Sequence, residues 1–204
     1  MLFNAVFYYE ICNLKSEIEM RLFIAIEIPN DVKKAIGEVQ SKLKKSGVDA
    51  SWTRLEGIHL TLKFLGEVAE SKVPDIMMAI SDVVKGIYGF RIDVSSAGAF
   101  PNPKNARVAW MGVSGEIDKL TNLQAAVEGA MIQKGFKRED RVFTPHLTLG
   151  RIKYIRFRDA WVKMLEEIKD IKLPTFDVHA VSLIKSDLQS SGAVYTVIGS
   201  VELI

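Results

Sequence analysis

The sequence predicts an α+β fold made of two similar lobes, and three features predict it. Short runs of branched and aromatic residues alternate with longer stretches whose apolar residues recur every three or four positions, the signatures of strand and helix. The tetrapeptide His-Leu-Thr-Leu occurs at His59–Leu62 and again at His146–Leu149, 87 positions further on, each time among helical and extended segments. Two copies at that distance describe a duplicated unit and not a short-period solenoid. No Gly/Ser-rich linker separates the halves, so one compact bilobal body is expected.

The elements follow in order. Residues 1–19 read as an extension, with Met20 a second candidate start, ahead of a single domain over 20–204. RLFIAIEIP is a strand stopped by Pro29, and Asn30 or Asp31 can cap a helix running to about Lys45 and closed by Gly47. GIHLTLKFLG is a strand. A helix over Ser71–Tyr88 carries Val73, Ile76, Met77, Ile80 and Val84 on its apolar side. FRIDVSSAG and RVAWMGV are strands divided by the turn-rich segment Phe100–Asn105. A helix over Glu116–Lys134 lines up Ile117, Leu120, Leu123, Val127 and Met131. The strand HLTLGRI, a helix over Phe157–Ile168, and the paired strands FDVHAVSLIKS and AVYTVIGSVEL, turning at Gln189–Gly192, complete the chain.

Composition excludes several classes of function. With 48% hydrophobic and 25% charged residues the chain is an ordinary globular protein. A net charge of +2 is too small for a sequence-independent nucleic-acid coat, though it allows a local basic patch. The single cysteine, Cys12, rules out an intramolecular disulfide and a cysteine-based zinc site. No apolar run approaches the roughly 18 residues of a membrane span, and the N-terminal stretch lacks the basic start of a signal peptide. The default expectation is a cytoplasmic protein with no membrane partner.

The repeated motif carries the chemistry. Side chains alternate along a strand, so His59 and Thr61 share one face while Leu60 and Leu62 take the other. His146 and Thr148 relate to Leu147 and Leu149 in the same way. Two such strands facing each other across a cleft supply two imidazoles and two hydroxyls to one small ligand. That set suits hydrolysis of a cyclic phosphodiester, which needs a base for the attacking water and an acid for the departing oxygen. The threonines can donate hydrogen bonds to phosphoryl oxygens as charge builds. The scheme requires no metal and no cofactor, and sequence chemistry does not say which histidine is the acid.

GIHLTLKFLG and TPHLTLGR resemble the paired H-x-T motifs of the two-histidine (2H) phosphoesterases, most closely the RNA 2′,3′-cyclic phosphodiesterases, also called 2′-5′ RNA ligases. RLFIAIEIP, FPNPKNARVAW and LIKSDLQSSGAVYTVI extend the resemblance over about residues 20–204. It implies two pseudo-twofold lobes, each an antiparallel sheet backed by helices, with the active site in the groove between them. It also implies an RNA partner ending in a 2′,3′-cyclic phosphate, tRNA fragments among the candidates, opened to a 2′-phosphate. In this scheme His59 is the proton donor and His146 the acceptor. The resemblance also implies joining of RNA ends through a 2′-5′ linkage, the reverse direction of the same type of chemistry. A monomer is expected. No P-loop occurs, so ATP-driven ligation has no support.

Around the motifs, regular alternation keeps Lys63 on the catalytic face, within reach of a phosphate. Arg151 falls on the opposite face unless Gly150 permits a bulge. The resemblance nevertheless places an arginine there beside the phosphate, where a guanidinium makes paired contacts that lysine cannot. Phe64 fits either a core position or a platform for a nucleobase, and it is taken as substrate-binding. Trp52, Arg54, Lys104 and Arg107 read as surface or packing, and His179, which lacks threonine two residues on, as structural. Ser186 and Tyr195 match the resemblance and are assigned to the fold.

Overall fold

The computed structural model describes residues 18–189 and 192–204. The N-terminal extension, except Ile18 and Glu19, lies outside the described residues, as do the two residues at the tip of the last hairpin.

Strand β1 (Glu19–Glu27) leads into helix α1 (Asn30–Lys44), then strands β2 (Val48–Trp52) and β3 (His59–Ala69). Helix α2 (Val73–Val84), strands β4 (Phe90–Phe100) and β5 (Val108–Gly115), and helix α3 (Ile117–Gln133) follow. The chain ends with β6 (His146–Ile155), α4 (Arg158–Ile168), β7 (Lys172–Val178), β8 (Ala180–Gln189) and β9 (Gly192–Glu202). Among the described residues, all nine strands join one antiparallel sheet in the order β7-β4-β5-β6-β3-β1-β8-β9, with β2 paired to β6 beside this path. The order is palindromic about the β6-β3 junction: β3 corresponds to β6, β1 to β5, β8 to β4 and β9 to β7. The expected two-lobed α+β duplication is therefore present as two halves of one sheet.

Several local readings differ from the sequence expectation. FDVHAVSLIKS is two strands broken at His179: β7 forms one end of the sheet, while β8 pairs with β1 and β9 in the other half. Only His179 lies between them, so the sheet must curl for its two ends to approach. The short strand β2 has no counterpart in the sequence expectation, and α1 starts after Pro29 with no side-chain cap hydrogen bond from Asn30 or Asp31.

One face of the sheet carries the main core. Leu22, Ile24 and Ile26 of β1, Leu60 and Leu62 of β3, Ala109 and Met111 of β5, and Leu147 and Leu149 of β6 are all buried there with residues of the four helices. Helical periodicity selected those partners: Ile36 and Leu43 of α1, Ile76 and Ile80 of α2, Leu120 and Val127 of α3 and Trp161 of α4 are buried. The opposite, open face holds a small separate cluster of Phe23, Ala25 and Ile184, with Tyr195 packed against it. No helix among the described residues is long and apolar enough to cross a membrane.

Candidate active site

The two His-Leu-Thr-Leu strands lie side by side and share one ladder pair, Leu60 with Leu147. Both leucines are fully buried, so they point to the helix-covered face. Alternation about that pair puts His59, Thr61, His146 and Thr148 together on the open face, each partly exposed. The strands are thus neighbours at the junction of the two halves, where the sequence suggested walls of a cleft.

Both strands bulge directly after the motif. In β3, Thr61 pairs with Ala25 and Lys63 with Ile24, which leaves Leu62 as the extra residue; in β6, Thr148 pairs with Trp110 and Gly150 with Ala109, which leaves Leu149. The backbone carbonyl of each extra leucine is met by a glutamine from the other half. Gln40 Nε2 on α1 donates to Leu149 O at 2.8 Å, and Gln124 Nε2 on α3 donates to Leu62 O at 3.3 Å. Gln40 is buried and also donates to Thr53 O at 2.8 Å. Leu149 O also accepts from Thr53 N at 2.9 Å. Nothing in the sequence singles out these glutamines, because their role exists only once the bulges present these carbonyls to the helices.

The bulges decide which supporting residues reach the open face. In β6 the parity reverses, so Ile152 turns into the core and Arg151 emerges exposed beside the motif. Glycine suits the crowding at position 150, since a Cβ would lie 3.0 Å from the Trp52 ring and 3.1 Å from Ser51 O and would push these neighbours back. In β3 the same reversal brings out Phe64, 60% exposed, with its ring centroid 5.9 Å from that of Phe23. It turns Lys63 inward, which corrects the expectation of a phosphate contact. The Lys63 Nζ donates to Glu128 Oε2 of α3 at 2.8 Å and to Lys137 O at 2.9 Å, and its side chain is only 2% exposed.

The histidines are oriented by one device used twice. His59 Nδ1 donates to Gly57 O at 2.8 Å and His146 Nδ1 to Thr144 O at 2.7 Å, in each case two residues back. A carbonyl can only accept, so both bonds fix the proton on Nδ1 and leave Nε2 as the nitrogen that can take or give one. Their surroundings are aromatic. The His59 ring lies 4.5 Å from Phe23 and 5.0 Å, edge-on, from Tyr195, while His146 lies 5.1 Å, edge-on, from Phe100. Phe100 in turn packs 5.1 Å from Trp110, whose buried Nε1 has no hydrogen-bond partner among the described residues. The sequence assigns Tyr195 to the fold and gives Phe100 and Trp110 no role. Only the register of β9 and β4 brings these rings to the histidines.

Burial pushes His59 down to about 4, the Gly57 hydrogen bond opposing the shift and the positive charge of Lys33 adding to it. Between about pH 4 and 6.5 the folded protein therefore binds fewer protons here than the unfolded chain. This contribution to stability is intact above pH 6.5 and is lost as pH falls toward 4. The expected NMR titration of ligand-free protein shows the His59 ring changing protonation near pH 4; a midpoint at or above 6.5 contradicts this account of its burial.

His179 is exposed between β7 and β8 next to Asp177, and its carbonyl accepts from Leu203 N at 2.7 Å. Among the described residues no three His, Cys, Asp or Glu side chains gather as a metal-ligand set. Trp52 packs under Lys44, whose Nζ is 5.6 Å from the ring centroid, while Lys104 and Arg107 are exposed around the β4–β5 connection.

The model of the family described as LigT like Phosphoesterase matches the chain twice, over residues 26–110 and 112–195, once for each half. The RNA 2′,3′-cyclic phosphodiesterase of Thermotoga maritima is 38% identical over 181 residues, 88% of this chain and 93% of its own. The protein of the same name from Methanothermobacter thermautotrophicus is 32% identical over 179 residues, 88% of this chain and 96% of its own. Among solved structures, a protein of Thermus thermophilus superposes with a TM-score of 0.76 at 27% identity, covering 90% of this chain and 98% of that one. E. coli LigT complexed with 3′-AMP shares the fold, with a TM-score of 0.73 at 22% identity over 91% of this chain and 99% of that one.

Proposed function

The chain belongs to the LigT-like phosphoesterase family, and from that membership and the paired histidines we propose that it opens RNA 2′,3′-cyclic phosphate ends to 2′-phosphates. The observation that carries this reading is the Leu60–Leu147 pair, which gathers one histidine and one threonine from each half on a single face. The relatives' shared name, RNA 2′,3′-cyclic phosphodiesterase, supports the substrate class.

In the proposed reaction His146 takes a proton from water as the water oxygen attacks phosphorus. The bond from phosphorus to the 3′ oxygen breaks, and His59 returns a proton to that oxygen. Thr61 and Thr148 donate hydrogen bonds to the non-bridging oxygens, Arg151 holds the phosphate, and Phe64 offers its exposed ring to a base. Half-buried His59 is neutral in the free protein near pH 7, so an acid role needs a proton acquired with the substrate. The anionic phosphodiester supplies the reason, since negative charge beside an imidazole favours its protonated form. Ligation is the cleavage of a 2′-5′ bond run in reverse: a 5′-hydroxyl takes the place of water and attacks phosphorus of the cyclic phosphate. The 2′-5′ bond forms as the bond to the 3′ oxygen breaks, and that oxygen takes the proton from His59. RNA fragments such as cleaved tRNA are suitable substrates, and the protein acts as a monomer in the cytoplasm.

The test is a short RNA ending in 2′,3′-cyclic phosphate, incubated with the protein in the presence of a chelator and followed by analysis of the end group. A 2′-phosphate is expected. Absence of turnover overturns the reading, and a 3′-phosphate reverses the leaving group.

A further inference from the structure

The duplication is strict at the centre of the open face and broken at its margins. After the first bulge, each catalytic strand bulges once more against its neighbour. In β3 the pairs are Phe64 with Phe23 and Gly66 with Leu22; in β6 they are Ile152 with Ala50 and Tyr154 with Asp49. Counting through both bulges, His59, Thr61, Phe64 and Glu67 follow one another on the open face of β3. His146, Thr148, Arg151 and Tyr154 occupy the corresponding places on β6. Buried Val68 and the core-packed Ile155, next in each strand, agree with this parity. The inner pairs are identical; the outer ones are Phe against Arg and Glu against Tyr.

A substrate phosphate at the centre needs the symmetric groups, but the RNA chain behind it leaves in one direction only. The β3 arm offers Phe64 to the terminal base and ends in Glu67, whereas the β6 arm offers Arg151, then exposed Lys153 and Tyr154, which is 65% exposed with no role in the core. Tyr154 stands three residues beyond Arg151 but, across the bulge at Lys153, only two ladder positions further, about 7 Å along a strand, where the next nucleotide would lie. A phenol ring there stacks on an unpaired base of any kind. Asp49, across the ladder from Tyr154, favours a base or ribose hydroxyl over a phosphate at that position.

We propose that the outer end of β6, centred on Tyr154, is a subsite for the nucleotide preceding the cyclic phosphate, so that the protein prefers oligoribonucleotides to mononucleotides. This rests on the cyclic-phosphodiesterase reading. Steady-state kinetics compare a nucleoside 2′,3′-cyclic phosphate with a trinucleotide carrying the same end, for the native protein, Tyr154→Ala and Tyr154→Phe. The native protein is expected to favour the trinucleotide. Tyr154→Ala should lower kcat/KM for the trinucleotide about tenfold, chiefly through KM, with little effect on the mononucleotide, and Tyr154→Phe should retain the preference. Equal turnover of both substrates by the native protein, or an equal loss on both in Tyr154→Ala, overturns the subsite and leaves the catalytic reading standing. If the native protein opens neither substrate, the catalytic reading itself fails and takes the subsite with it.

Discussion

Alanine in place of either His59 or His146 lowers turnover of an RNA 2′,3′-cyclic phosphate by about a thousandfold, the scale of losing a general acid or base. The two losses should be of similar size, because each half contributes one histidine held by the same backbone bond, from Nδ1 to a carbonyl two residues back. The variants should also stay folded. Both histidines are partly exposed, and the His59 imidazole, neutral near pH 7, leaves no charged partner stranded when it is removed. Thr61→Val and Thr148→Val should cost less, since in the proposed reaction each removes one hydrogen bond to charge that Arg151 would also meet. Retention of near-native turnover by either alanine variant removes that histidine from the mechanism.

The largest expected effect on stability lies behind the site. Lys63→Met removes the cation that donates to Glu128 and should cost about 2–3 kcal/mol, because the partly buried carboxylate keeps only its bond from the Glu139 backbone N–H and Lys137 O loses its donor. Burial alone would raise the Glu128 carboxyl; hydrogen bonds from Lys63 and from the Glu139 backbone N–H at 2.9 Å outweigh it and hold the group below its ordinary range. The pair ties β3, which carries the first motif, to α3 and to the segment 137–139 ahead of the second motif. The double variant Lys63→Met/Glu128→Leu should recover much of the loss, since no charge is left stranded. Urea unfolding midpoints read both effects; a loss below about 1 kcal/mol for Lys63→Met contradicts the assigned role.

These two regions also mark how far the sequence can be read. The motif histidines and threonines are legible because period-two alternation holds within four residues, and the buried leucines agree with it. Alternation fails one residue later, at the bulges after Thr61 and Thr148. It therefore puts Lys63 on the wrong face, and Arg151 comes to the open face only through the bulge that Gly150 allows. Apolar periodicity locates the four helices, but α2 stops at Val84, short of Tyr88, with Gly86 at φ +79° just beyond. The long run FDVHAVSLIKS gives no sign of its break at His179, because both pieces have the composition of buried strands. Gln40, Gln124, Tyr195 and Phe100 act at the site through contacts distant in sequence, with Gln40 and Leu149 separated by 109 positions. Such partners carry no local pattern.

The central claim is that the two halves build one acid–base site, and a double-variant cycle tests it most directly. The quantity measured is kcat/KM on the cyclic-ended RNA for His59→Ala, His146→Ala and the combined variant. If both imidazoles serve the same transition state, the combined variant loses little more than the worse single one. If the two losses multiply, the histidines act independently and the account of a shared site is wrong.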